Sequence, residues 1–149
     1  MRVRLHHCVR TIVALSAMMG LAVGCGSVRP EPVPVAGQIT LAGGWWPKPG
    51  KLTFFPAEPA AGFPRTLGVA EFTEDGRFTA QSHRPGDGLM PGRYQVAVAC
   101  WEEPPTDIKP AGKNPYVADK FRNPQTSGLE LVVPTGVGVL DAKLDVPKR

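Results

Sequence analysis

Histidine is almost missing from this chain. Of its three, His6 and His7 fall within the first 24 residues and only His83 lies beyond them. A hydrolase or metal enzyme needs a base held by an orienting partner, or several ligands brought together, and a lone His beside Arg84 offers neither. No catalytic residue and no cofactor are therefore expected. Cysteine is as scarce: Cys8, Cys25 and Cys100 are too few to form a disulfide framework. Charge of one sign is also lacking. The whole chain carries +4, but Arg2, Arg4 and Arg10 fall in the first 24 residues, leaving fourteen Lys and Arg against thirteen Asp and Glu. That balance gives no reason to expect nucleic acid as a partner. After Gly24 there is no long apolar run, so nothing beyond it reads as a membrane-spanning helix.

What is present begins with a leader. Arg2, Arg4 and Arg10 make a basic start, and Thr11 to Gly24 is an apolar run too short to span a bilayer stably, which predicts a signal peptide over residues 1–24. It closes on Leu21-Ala22-Val23-Gly24-Cys25, which resembles a bacterial lipobox, with Ala22 where leucine is commoner. The resemblance implies cleavage before Cys25, diacylation of its sulfur and attachment to a membrane through that lipid. Ordinary secretory cleavage with Cys25 incidental is the alternative. Gly26 and Ser27 follow without an Asp next to the Cys, which implies the periplasmic face of the outer membrane.

Residues 25–34, the lipidated Cys and a Pro-rich stretch ending PEPVP, read as a short tether, and residues 35–149 as one domain. With Cys8 removed and Cys25 lipidated, Cys100 has no partner for a disulfide and reads as a small buried hydrophobe.

The domain is organised around Thr73 to Trp101. Glu74-Asp75-Gly76 is turn chemistry leading into an alternation of Phe78, Ala80 and Ser82 with Thr79 and Gln81. From Pro91-Gly92 a second strand sets Tyr94, Val96, Val98 and Cys100 on an inner face. DGRF followed by PGDG-x-x-PG-x-Y-x-V-x-V, with the later FRNPQTSGLEL, resembles the carboxypeptidase regulatory-like domains of small bacterial lipoproteins of planctomycete type, over Val33 to Val146. The resemblance implies an all-β fold, a single antiparallel, Ig-like or transthyretin-like (prealbumin-like) sandwich of about seven strands.

The remaining pattern agrees. Val35, Ile39 and Leu41 alternate along a first strand with Gly37 at a bulge or close approach, and Gly43-Gly44 stops it. Leu52 and Phe54 share a face until Pro56, which is expected to end that strand. Between Thr66 and Phe72 either Ala70 and Phe72 or Leu67 and Val69 face inward. Leu129, Leu131 and Val133, then Leu140, Ala142, Leu144 and Val146, complete the sheet, with Asp141, Lys143 and Asp145 outside. Glu74, Asp75 and Asp87 lack the ligand spacing of a calcium loop and read as turn formers, so no metal is assigned.

Three functions compete. Transthyretin-like folds include hydroxyisourate hydrolases, but those use more than one His with Arg and a Tyr-Arg-Gly-Ser type ending, where this chain has LDVPKR. A carbohydrate- or peptide-binding module would use the tandem Trp45 and Trp46, Trp101, Tyr116 and the long 102–127 loop. Against the aromatic platform stands the reading that one of the two Trp closes the core and the other lies on the surface. The reading we favour is a non-catalytic domain held in the cell envelope, structural or in contact with envelope proteins or glycans.

Overall fold

The structure, a computed structural model, describes residues 30–110 and 112–148. The signal peptide assigned to residues 1–24 and the lipid on Cys25 lie outside the described residues. The elements follow in the order β1 (Val35–Leu41), β2 (Gly50–Pro59), β3 (Gly68–Phe72), β4 (Arg77–Thr79), β5 (Gly92–Ala99), α1 (Asp119–Arg122), α2 (Pro124–Ser127), β6 (Glu130–Val133) and β7 (Leu140–Val146). All seven strands join one sheet in the order β6-β5-β2-β3-β4-β1-β7, curled nearly into a barrel, with its two end strands unpaired to each other.

Period-two alternation puts one side of each strand inside the curl. Val35 and Ile39 of β1, Leu52 and Phe54 of β2, Ala70 and Phe72 of β3 and Phe78 of β4 meet Tyr94, Val96 and Val98 of β5 in one core. Leu131 and Val133 from β6 and Ala142, Leu144 and Val146 from β7 complete it, and Leu129 and Leu140 pack on it half-buried. The ambiguity in the third strand resolves with Ala70 and Phe72 inward and Leu67 exposed. Phe54 stands edge-on to Tyr94, ring centres 6.5 Å apart, and the Tyr94 hydroxyl donates to the Met90 carbonyl at 2.8 Å. This bond satisfies the one polar group that Tyr94 brings into the core.

Three expectations are corrected in detail. The sheet is not wholly antiparallel: β1 and β7 run parallel through seven pairs, Val35↔Leu140 to Leu41↔Val146. Both strands set out from the same end, where the Leu140 N–H donates to the Pro34 carbonyl. Pro56 does not end β2, which continues to Pro59 across a register shift between Pro56 and Glu58. Because β3 reaches only to Gly68, opposite Phe54, β2 is paired on one side from Phe55 onward, and a residue without an N–H is tolerated at that edge. The strand expected through Ser82 ends at Thr79, although the alternation itself carries on to Ala80, buried in the core, and Gln81 forms only an isolated bridge to Val69.

Gly37 owes its place to the parallel pair, since a Cβ there would stand 2.0 Å from the Ala142 carbonyl oxygen. Gly76, at φ 79°, closes the turn between β3 and β4, where its N–H donates to Thr73. Inside the long 102–127 connection, α1 and α2 pack on β5 and bury Phe121 and Ser127, with Val117 buried just before them.

Candidate functional site

The outer face of the sheet, on the strands opposite the core, carries an open groove of about 1580 Å³. Its shape follows from side-chain size along the strands. Small residues lie across the middle, where Ala36 of β1 pairs with both Thr79 of β4 and Asp141 of β7. Long ones rise around them: Gln38 between Arg77 and Lys143, and Lys51 of β2 opposite Glu71 of β3. Trp45 stands at one end, 78% exposed.

Some of this face is already held. Gln38 Nε2 donates to the Asp75 carbonyl at 2.8 Å, and Asp75 pairs with Arg77 at 3.2 Å. The Thr73 hydroxyl and the Arg77 N–H both donate to the Asp75 carboxylate, and with the Arg77 charge they hold its pKa below the ordinary range. Other groups are unspent: among the described residues none makes a hydrogen bond or ion pair with the side chains of Lys51, Glu71, Thr79, Gln81, Asp141 or Lys143.

The four aromatic candidates do not form one platform. Trp46 is a core residue, 3% exposed, its indole N–H donating to the Ile39 carbonyl at 2.8 Å and its ring 4.7 Å from that of Phe72. It is removed from the candidate site because the core offers its ring Phe72 to pack on and its N–H the Ile39 carbonyl. Tyr116 is half-buried against the core and Trp101 is half-buried, and neither lines the groove. The 102–127 connection contributes a projecting loop instead. Glu102 and Gly112 donate backbone bonds to Lys113 and Glu103, Thr106 and Lys109 bridge further out, and Ile108 at the tip is 97% exposed.

The titratable candidates are explained locally. Asp87 accepts the backbone N–H groups of Ser82, His83 and Arg84 at 2.7, 3.0 and 3.0 Å. Burial alone would raise its pKa, but these donors outweigh it and the net shift is downward. His83 is exposed and takes part only through its backbone N–H. Cys100 is fully buried, its thiol donating to the Lys48 carbonyl at 3.4 Å, and burial pushes its pKa up to about 11, so the nucleophilic thiolate is disfavoured. Among the described residues no three His, Cys, Asp or Glu side chains gather as metal ligands.

Sequence reasoning named Trp45, which lines the groove, but not the groove itself. Its signal was the outward-facing set of small residues, Ala36 and Thr79, flanked on neighbouring strands by long polar ones, and strand order is needed to see them as neighbours. Comparison with protein-family models, with curated protein sequences and with solved structures finds no match.

Proposed function

We propose that the chain is a lipid-anchored envelope protein whose β-rich domain, a transthyretin-like sandwich of the carboxypeptidase regulatory-like kind, is non-catalytic and presents an interaction surface away from the membrane. The leader residues 1–24 and the lipobox-like LAVGC support the anchor and the periplasmic face of the outer membrane as its address. The observation that carries the interaction reading is the polarity of the domain. At one end lie Pro30–Pro34, Gly62, Phe63, Pro91 and Gly136–Gly138, together lining a shallow hollow where Val33 and Leu89 exchange backbone bonds. Five residues of chain from Pro30 to Cys25 reach at most about 18 Å, so this end is the one held near the lipid.

The opposite end has Trp45 and the turn at Thr73–Gly76, joined by the Trp46 N–H to the Glu74 carbonyl. The projecting loop springs from there too, since Lys48 Nζ donates to the Glu102 carbonyl at 2.8 Å. The two most exposed large apolar side chains among the described residues, Ile108 and Trp45, thus face away from the anchor, while the less exposed Leu67, Val137 and Val139 lie toward it. Two measurements test the proposal. Cys25→Ala is expected to move the protein to the soluble fraction with an unchanged urea midpoint; continued sedimentation with membranes would refute the anchor. A photo-crosslinking amino acid in cells is expected to give protein adducts from position 108 and none from position 67, next to β3 at the anchored end. Equal or reversed labelling would refute the polarity.

A further inference from the structure

We infer that the groove on the outer face of β2, β3, β4, β1 and β7 is a binding site for an uncharged polysaccharide strand. The inference stands apart from the anchor and the projecting loop, because none of their residues lines the groove.

Three features select the ligand class. A sugar ring has an apolar C–H face and a rim of hydroxyls, so it is held by a flat aromatic surface together with planar polar groups that give and accept paired hydrogen bonds. Trp45 supplies the first at the end of the groove, and Glu71, Gln81 and Asp141 supply unspent carboxylates and an amide along it. The charges are mixed in sign instead of accumulating: Lys51 faces Glu71 across β2 and β3, Asp75 pairs with Arg77, and Asp141 is followed on the same face of β7 by Lys143, with Glu74 beside them. A polyanion would meet Glu71, Glu74 and Asp141, and a polycation Lys51 and Lys143, so neither finds a face of opposite sign.

The position of the groove speaks against an extended peptide. A peptide strand gains affinity by pairing with a free sheet edge, and the groove is centred on β3, β4 and β1, each paired on both sides. Its middle carries the small side chains of Ala36 and Thr79. Adjacent strands lie about 4.8 Å apart, so a row of side chains from β7 to β2 runs roughly 19 Å, which accommodates several linked sugar units.

Affinity gel electrophoresis of the full chain in mild detergent tests this, with a soluble β-glucan, a xylan and a mannan as neutral probes and heparin and reduced casein as the charged and peptide probes. Retardation by at least one neutral polysaccharide is expected, weakened about ten-fold or more in Trp45→Ala, largely restored in Trp45→Phe and weakened in Asp141→Ala. Ile108→Ser is expected to bind as the parent does. Trp45 is exposed, so its removal leaves the core intact, and an unchanged circular dichroism melt checks that. Retardation by none of the neutral probes, by heparin or casein alone, or to the same extent in Trp45→Ala overturns the assignment.

Discussion

The carboxylate of Asp87 takes up three consecutive N–H groups at the end of the Ser82–Gly88 loop, and the Ser82 hydroxyl closes the same loop by donating to the Gly88 carbonyl at 2.8 Å. These bonds favour the ionised form, which lowers the pKa of Asp87 in the folded state. A carboxyl depressed on folding contributes stability above its unfolded pKa near 4, and that stability is lost as pH falls through the folded value. The urea midpoint of the parent protein is therefore expected to fall more steeply, as the pH is lowered through and below the unfolded value near 4, than that of Asp87→Asn, whose side chain does not titrate. Parallel curves would mean that the loop is held without the charge. The same residue explains why His83 lies where it does: its backbone is part of the Asp87 cap and its ring is left in solvent.

Among the elements, β1 depends on a residue with no side chain. Gly37 pairs with Ala142 and with Phe78, and the approach to β7 leaves no room for a Cβ. Gly37→Ala is expected to destabilise the protein by about 1–3 kcal/mol, with strain spread into the β1/β7 ladder. Urea unfolding measures the cost, and hydrogen exchange at Ile39 and Leu144 locates it; an unchanged midpoint would mean that the two strands can separate freely.

Much of this was legible in the residues. Alternation fixed the inner faces of β5, β6 and β7, the Asp75-Gly76 turn fixed the β3–β4 hairpin, and Gly37 was readable as a close approach. What stayed hidden concerns partners across the sheet: alternation is the same in parallel and antiparallel strands, so the β1/β7 pairing left no trace in period. Pro56 misled because its tolerance depends on how far β3 extends. The groove was hidden for the same reason, being made by neighbours far apart in sequence, while Trp46 and Trp45 could be told apart only once the Ile39 carbonyl was placed beside one of them.

For the whole molecule, β1 and β7 run from the end where Pro30–Pro34 lies toward the end that carries Ile108 and Trp45, the two most exposed large apolar side chains among the described residues. Tension applied between the start of β1 and the end of β7 runs along these two strands. The parallel β1/β7 pair then carries the load from the beginning of β1 to the end of β7, and all seven residue pairs resist together in shear. Were the pair antiparallel, the same pull would open the ladder from one end, one bond at a time. Single-molecule pulling between positions 30 and 148 is accordingly expected to require a higher rupture force than pulling between positions 30 and 139, which peels β7 from β1 beginning at Leu140. Equal forces in the two directions would show that another part of the sheet yields first. The parallel pair, which contradicts the simplest reading of the sequence, makes the domain a mechanical clamp with a preferred axis, strongest along the line from the start of β1 to the end of β7.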